Sequence, residues 1–159
     1  MIKKICFVCH GNICRSPMAE FLFKDMLEKR GIANDYLIES RATSTEELGN
    51  PVHYGTAKKL AEYGITARGK TAIQLKSSDY NKYDLIIGMD DANIRNIIRI
   101  TGGDPENKVK KMLSYAGEER SVADPWYTGD FDTTYNDIMI GLNGLMKQLN
   151  ICINYLNKN

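Results

Sequence analysis

The sequence lacks both a long apolar run and an excess of charge of either sign. No apolar stretch in the 159 residues approaches the length of a membrane-spanning helix, and the run that ends at Val8-Cys9 is too short for a signal peptide. The chain carries 21 basic and 20 acidic side chains, a formal net charge of +1. This balance gives no support for a broad nucleic-acid or membrane surface. We therefore predict a cytoplasmic protein that binds neither nucleic acid nor membrane.

Cysteine is scarce, and its four copies are unevenly placed. Three of them lie in the first fourteen residues, unlike the scattered framework of a disulfide-rich secreted domain. Cys6 and Cys9 form a C-x2-C pair, but a zinc ion would need two further ligands. The other Cys and His side chains in the sequence are Cys14, Cys152, His10 and His53. Cys6 lies in an apolar run typical of a strand, so we favour no metal site and expect Cys6 and Cys152 to be core residues.

Signals for strands and helices alternate along the chain. Apolar runs predict strands over residues 5–8, 36–40 and 83–89, with a further short run at 109–113. Apolar residues at helical spacing predict helices over residues 18–31, 54–63, 92–100 and 133–156. This alternation predicts an α/β fold with a central parallel sheet, built as a single domain over residues 1–159.

The first strand and the first helix are joined by residues 8–17, with the sequence VCHGNICRSP. In such a strand–loop–helix arrangement, backbone N–H groups and the helix dipole gather an anion. Gly11 and Asn12 tolerate the left-handed backbone angles that a tight loop needs. Pro17 is favoured in the first turn of the helix that follows. We therefore predict an anion-binding loop at this position.

Cys9 and Arg15 suggest what chemistry the loop performs. A thiol attacks only as a thiolate and needs positive surroundings, which the loop N–H groups, the helix N-terminus and Arg15 supply. Ser16 can donate a hydrogen bond to the sulfur, and the planar Arg15 guanidinium can hold two phosphate oxygens. These residues predict an oxyanion site with a sulfur nucleophile. Taken alone, Cys14 can equally be an inert buried thiol.

Residues 8–20 read VCxGNICRSPxAE, a motif much longer than the C-x5-R that other phosphatase folds share. This motif resembles the low-molecular-weight protein tyrosine phosphatase family. Further matches follow in the family's order at Ser40, Met89-Asp90 and Asp124-Pro125, so the resemblance covers nearly the whole chain. It implies a three-layer αβα domain with a central four-stranded parallel sheet, a flavodoxin-like fold of the phosphotyrosine phosphatase I type.

The resemblance implies a catalytic role for three residues. Cys9 is the expected nucleophile, which forms a phosphocysteine intermediate. Arg15 and the loop N–H groups are expected to bind the phosphoryl oxygens. Asp124 is the expected general acid, which protonates the leaving oxygen and later acts as base on water. No metal or other cofactor is required, because Arg15 and the amides stabilise the developing charge.

The same resemblance gives supporting roles to other positions. The residues of the phosphate-binding loop and its support are His10, Gly11, Asn12, Ile13, Cys14, Ser16 and Ser40. Trp126 and Tyr127 match positions that line the substrate entrance, and Glu46 lies at the same entrance, where relatives often carry an aromatic residue instead. Cys14 is also a candidate redox partner, which would protect Cys9 as a reversible disulfide. The acidic entrance would disfavour acidic peptides.

Several residues keep simpler interpretations. His10 departs from the family pattern, which is commonly apolar or small there, and its effect on the loop is unexplained. Asp90 and Asn93 can simply cap the helix that follows them. Asp124 before a proline can begin a turn. His53 is expected to be a surface residue.

Three other functions compete with the tyrosine phosphatase. Arsenate reductases share the fold and the loop, but they use cysteines near the middle of the chain, and this sequence has none between Cys14 and Cys152. Protein arginine phosphatases carry Thr where Ile13 stands, and the apolar side chain favours a phenyl ester. A non-catalytic phosphate-binding module needs neither the nucleophile nor the acid. We expect phosphotyrosine proteins and small aryl phosphates as substrates, and a monomer or weak dimer.

Overall fold

The computed structural model describes residues 1–151. The strands in this part are β1 (Lys3–Cys9), β2 (Tyr36–Ala42), β3 (Leu85–Gly88) and β4 (Val109–Lys111). The helices are α1 (Arg15–Lys29), α2 (Tyr54–Ala61), α3 (Asp79–Lys82), α4 (Asp91–Thr101), α5 (Pro125–Thr128) and α6 (Phe131–Gln148). Short 3-10 helices cover Ala33–Asp35 and Met112–Ala116. None of the described helices has the length and apolar character needed to cross a membrane.

The four strands form one parallel sheet with the order β2-β1-β3-β4. β1 is an inner strand, and its apolar residues from Ile5 to Val8 are completely buried. Such a continuous apolar run is typical of a parallel strand that is covered on both faces. The predicted α/β fold with a central four-stranded parallel sheet is therefore confirmed.

Helices cover both faces of this sheet. Ile5 and Phe7 of β1 belong to the large core that α1 and α6 complete on one face. Cys6 and Val8 belong to a second core on the other face, together with Ile97 of α4. This arrangement is the predicted three-layer αβα domain. Because side chains alternate along a strand, the thiols of Cys6 and Cys9 fall in different cores and do not converge on one metal ion.

The last helix is shorter than its apolar pattern predicts. The prediction of one helix over residues 133–156 is wrong at its end, because α6 ends at Gln148. Asn150 adopts a left-handed backbone with a φ of 55°, which no α-helix can continue. The remainder of the predicted range lies outside the described residues, as does Cys152, which was expected in the core.

Two single-turn helices and one 3-10 helix replace segments expected to be loop or strand. Where Asp124 before Pro125 was expected to begin at most a turn, the chain forms α5, with Asp124 as its N-cap residue. α3 precedes β3, which is shorter than the apolar run predicts. The fourth strand ends at Lys111, and the chain continues as a 3-10 helix. A single turn is too short to show a helical period in the sequence.

The carboxyl ends of β1, β2 and β3 meet at one edge of the sheet. Cys9 is the last residue of β1, and its carbonyl oxygen accepts a hydrogen bond of 3.0 Å from the Thr43 N–H just after β2. The next carbonyl, that of His10, accepts from the Ser44 N–H at 3.0 Å. Ligands of open parallel sheets bind at this edge.

Candidate active site

The Cys9 thiol lies at the base of the loop between β1 and α1. It is only 4% exposed, and two groups of its own loop point at the sulfur. The Asn12 N–H donates to Cys9 Sγ over 3.3 Å, and the Ser16 hydroxyl is 3.0 Å from the same atom. The sulfur is thus held against the loop, beside two groups that can form hydrogen bonds with it.

Asn12 holds the loop in its tight conformation. Its backbone is left-handed, with a φ of 59°, a conformation that Asn tolerates better than most residues. Its side-chain amide donates to Ser16 Oγ at 2.8 Å and to Ser40 Oγ at 2.9 Å. Asn12 Oδ1 accepts from the Ile73 N–H at 3.1 Å, so this buried side chain has partners at both ends. The structure thus brings Asn12, Ser16 and Ser40 together behind the loop.

Glu20 and Lys70 extend this buried network, although no role was predicted for either residue. The Ser40 hydroxyl donates to Glu20 Oε1 at 2.5 Å, and Lys24 Nζ lies 2.6 Å from Glu20 Oε2. Lys70 Nζ donates to the Ser40 carbonyl at 3.0 Å and lies 3.8 Å from Glu20. Burial lowers the pKa of Lys70, although the Glu20 charge opposes that shift. Glu20 lies in the loop motif and could have been suspected, whereas no local pattern marks Lys70.

Arg15 begins α1 and is almost completely buried, with 3% of its side chain exposed. Its guanidinium donates to the Val122 carbonyl at 3.1 Å through Nη1. Nη2 lies 3.2 Å from Asp124 Oδ2 and 2.9 Å from Asp90 Oδ2. The guanidinium is therefore held in place by groups from two distant parts of the chain.

Asp90 has a second contact besides the expected cap. Its side chain accepts from the Asn93 N–H at 2.7 Å, and Asn93 Oδ1 accepts from the Asp90 N–H at 3.2 Å, which forms a capping box at the start of α4. Its other carboxylate oxygen faces Arg15. The cap prediction is therefore right but incomplete, since Asp90 also positions the guanidinium.

Asp124 stands opposite the loop at the start of α5. Its Oδ1 accepts from the Trp126 N–H at 3.1 Å, and its Oδ2 faces Arg15. About a quarter of the side chain, 28%, is exposed. The carboxyl group is thus fixed at one oxygen and reaches into the same space as Cys9 and Arg15.

A cavity of about 370 Å³ opens above the Cys9 sulfur. The predicted residues that line it are Cys9, His10, Gly11, Ile13, Cys14, Arg15, Glu46, Asp124, Trp126 and Tyr127. Asn12, Ser16 and Ser40 lie behind the loop and do not line it. The lining residues that were not predicted are Glu47, Asp90, Ala92, Asn93 and Asn96. Trp126 is 58% exposed and Tyr127 is 85% exposed, so both rings stand at the rim.

His10 pairs with Glu46 across the entrance of this cavity. His10 Nε2 lies 3.0 Å from Glu46 Oε2, and more than half of each side chain is exposed. The unexplained residue of the loop thus contacts the segment that follows β2.

Cys14 differs sharply from Cys9. Burial, and after it the nearby Cys9 and Asp124, raise the pKa of Cys14 to about 12, although the Arg15 charge opposes that shift. Cys14 is therefore a protonated thiol at neutral pH. In residues 1–151, no three His, Cys, Asp or Glu side chains cluster as a metal ion would require. The groups that can hold an anion here are the loop N–H groups and Arg15.

Comparison with known proteins places this site in a family. Residues 4–153 match the family model described as low molecular weight phosphotyrosine protein phosphatase. The protein-tyrosine-phosphatase YfkJ of Bacillus subtilis is 35% identical over 147 residues, which are 91% of this chain and 94% of the relative. PtpA of Staphylococcus epidermidis is 37% identical over 143 residues, 89% of this chain and 90% of the relative.

Solved structures agree with the sequence comparison. The crystal structure of YfkJ superposes with a TM-score of 0.90 at 34% identity and covers 94% of this chain and 96% of its own. The low molecular weight tyrosine phosphatase SP-PTP of Streptococcus pyogenes has a TM-score of 0.85 at 40% identity and covers 99% of both chains. The loop motif, the fold and these relatives agree, and the chain belongs to the low molecular weight phosphotyrosine protein phosphatase family.

Proposed function

We propose that this enzyme hydrolyses phosphotyrosine in protein substrates, and small aryl phosphates, through a phosphocysteine intermediate. The observation that carries the proposal is the convergence of Cys9, Arg15 and Asp124 on one cavity, with the sulfur facing the Asn12 N–H and the Ser16 hydroxyl. A nucleophile, an anion-binding group and a proton donor are what the hydrolysis of a phosphate ester requires.

In the first step the Cys9 thiolate attacks phosphorus. The P–S bond forms as the bond between phosphorus and the tyrosine oxygen breaks. Arg15 and the loop N–H groups hold the phosphoryl oxygens and stabilise the charge that spreads over them. Asp124 donates its proton to the leaving oxygen, which is needed because tyrosine titrates near ~10 and its phenolate is a poor leaving group.

In the second step water attacks the phosphocysteine. Asp124, now a carboxylate, takes a proton from the water, the P–S bond breaks, and inorganic phosphate and the Cys9 thiolate are released. The Asp124 carboxyl group lies beside Arg15, at the place where the phosphoryl group is expected to bind. When a phosphate dianion takes the place of Asp124 beside Arg15, the carboxyl group is free to turn to the leaving oxygen.

The entrance favours an aryl ester. The Trp126 and Tyr127 rings stand where they can flank the phenyl group of a substrate, and the apolar Ile13 lines the cavity. Glu46 and Glu47 place negative charge at the same entrance, which disfavours acidic residues next to the phosphotyrosine. The apolar Ile13 is the observation that speaks against the arginine phosphatase alternative.

Cys14 is proposed as the redox partner of Cys9. Peroxide would oxidise the Cys9 thiolate to a sulfenic acid, with two electrons passing to the peroxide. The Cys14 thiol would then pass its proton to the leaving hydroxyl as its sulfur attacks the sulfenic sulfur, which forms the disulfide and releases water. The raised pKa of Cys14 makes this step slow at neutral pH. A thiol reductant would restore both groups.

The decisive experiment compares the wild type with Cys9→Ser on phosphotyrosine and phosphoarginine peptides of one sequence. We expect the wild type to prefer phosphotyrosine and Cys9→Ser to lose at least about 10³-fold in kcat/KM. Cys6→Ala is the matched control, because Cys6 lies in the core on the other face of the sheet. Retained activity in Cys9→Ser would refute the assignment of Cys9 as the nucleophile. A preference for phosphoarginine would refute the assignment of phosphotyrosine as the substrate.

A further inference from the structure

His53 lies between the phosphate-binding loop and the segment that carries Asp124. Its imidazole ring stacks on the Phe131 ring, with centroids 5.3 Å apart and planes at 18°. On its other side it meets the Trp126 ring edge-on, with centroids 5.9 Å apart. His53, expected to be a surface residue, is half-buried, and its ring also forms part of an aromatic row.

The backbone around His53 is fixed to the phosphate-binding loop. The His53 N–H donates to the Ile13 carbonyl at 2.8 Å. Three residues later, the Thr56 hydroxyl donates to the Cys14 carbonyl at 3.1 Å, and Thr56 is completely buried. The start of α2 is thus attached to two successive carbonyl groups of the loop that holds the nucleophile.

Trp126 is coupled to Asp124 through the first turn of α5. Its N–H donates to Asp124 Oδ1 at 3.1 Å, and α5 has only four residues. So short a helix has little stability of its own and depends on outside contacts for its orientation. The edge of the His53 ring is such a contact for the Trp126 side chain.

Phe131 supports the far side of the imidazole ring. It is the first residue of α6 and packs near Ile13 and Cys14 of the loop. Its ring lies over the bare backbone of Gly55, where an added Cβ would overlap it. Gly55 has no left-handed backbone, so space for the Phe131 ring is the structural need for a glycine here.

A capping role alone does not account for a histidine at this position. His53 Nδ1 accepts from the Gly55 N–H at 3.0 Å and so caps α2. Asn, Asp, Ser or Thr provide that acceptor more commonly. What histidine adds is a flat ring that reaches both Phe131 and Trp126.

We propose that His53 is a positioning residue, which holds Trp126 and thereby sets the place of the Asp124 carboxyl group relative to the Cys9 loop. This inference rests on the proposed function, because it concerns the proton donor of that reaction. The contact between the His53 and Trp126 rings fixes α5 relative to the loop, and the hydrogen bond to the Gly55 N–H stabilises α2.

Two substitutions separate the ring from the cap. His53→Asn keeps a capping acceptor and removes the ring, whereas His53→Phe keeps a ring and removes the acceptor. We expect His53→Asn to lower kcat/KM about tenfold for phenyl phosphate, a part of the ~10²–10⁴-fold that an acid supplies. For p-nitrophenyl phosphate, whose leaving group is more acidic, the loss should stay below about twofold, since that ester needs less help from an acid. His53→Phe should unfold at lower denaturant but keep the ratio of the two substrates near that of the wild type.

Trp126 is the only tryptophan in the sequence, so its fluorescence gives a readout independent of activity. We expect its emission to change in His53→Asn and to stay close to wild type in His53→Phe. Asp124→Ala serves as the reference for complete loss of the acid and should show the steepest dependence on the leaving group.

The possible outcomes separate the two proposals. Suppose that Asp124→Ala loses much more kcat/KM for phenyl phosphate than for p-nitrophenyl phosphate, whereas His53→Asn loses kcat/KM equally for both substrates or for neither. The positioning role is then refuted and the proposed function stands. If Asp124→Ala itself slows both substrates equally, the acid assignment fails. If His53→Phe shows the same leaving-group dependence as His53→Asn, an aromatic ring at this position does not preserve the acid step and the inference is refuted.

Discussion

At the scale of single residues, environment separates two cysteines that the sequence places five positions apart. Cys9 faces the Asn12 N–H and the Ser16 hydroxyl, which contact its sulfur. Cys14 is buried without such donors, and its pKa is raised to about 12. The motif alone left the role of Cys14 open, and its surroundings show that it is a thiol at neutral pH.

This difference predicts selective alkylation. At pH 7 iodoacetamide should modify Cys9 at least about tenfold faster than Cys14, because only the thiolate reacts. A raised pKa means that Cys14 gains reactivity only as the pH approaches 12. Peptide mass spectrometry after timed labelling measures both rates, with inorganic phosphate as a competitor that should protect Cys9. Equal labelling of the two cysteines at pH 7 would contradict this interpretation.

Local residues of the site could be predicted, and distant ones could not. The contacts of Cys9 with Asn12 and Ser16 lie within one motif, where the required residue types and spacing are visible. The pairing of Arg15 with Asp124 spans 109 positions, and that of His10 with Glu46 spans 36. Only the packing of the sheet and its loops brings such residues together, so a single sequence does not reveal them without a family resemblance.

At the scale of elements, the ends of helices carry much of the site. The N-cap residue of α4 is Asp90 and that of α5 is Asp124, and both carboxylates also face Arg15. The predicted ends of α4 were nearly right, because Asp90 and Gly102 are strong start and stop signals. α5 was missed because one turn has no period, and the end of α6 was missed because apolar residues continue past Gln148.

The cap of α4 predicts different results for two substitutions of one residue. Asp90→Ala should lower the free energy of unfolding by about 1 kcal/mol or more, because the Asn93 N–H loses its acceptor. Asp90→Asn keeps a capping oxygen but loses the charge beside Arg15, so it should be destabilised less than Asp90→Ala. Urea unfolding curves measure the free energy of unfolding of both variants, which are compared with the wild type at equal m-values. If the Asn variant were as unstable as the Ala variant, the contact with Arg15 rather than the cap would carry the stability.

At the scale of the whole molecule, α6 closes one face of the domain against the 3-10 helix Met112–Ala116. Close approach of the two backbones depends on Gly144, where an added Cβ would overlap the backbone of Tyr115. Leu142 and Leu145 beside it are completely buried in the main core. The number of subunits is a separate question, and monomer or weak dimer stays a prediction that sedimentation can test.

Gly144→Ala should therefore lower the free energy of unfolding by about 1–3 kcal/mol, because α6 must move away from the 3-10 helix. At a solvent-exposed position in a helix, replacing Gly by Ala would raise the free energy of unfolding by roughly 0.5–1 kcal/mol, so the sign of the change is itself informative. Asn143→Ala, at an exposed position of the same helix, is the matched control and should be neutral or slightly stabilising. A stabilised Gly144→Ala variant would show that α6 and the 3-10 helix do not pack as described.

The two carboxylates that face Arg15 also bear on how the enzyme behaves in salt. A single chloride ion gains little by separating the guanidinium from Asp90 and Asp124, because it replaces two charged partners with one. A doubly charged phosphate ester can replace both carboxylates, and its oxygens can also accept hydrogen bonds from the loop N–H groups. We therefore expect chloride to inhibit weakly at concentrations where inorganic phosphate competes. In this way the site selects among anions by charge before the entrance selects among substrates by shape.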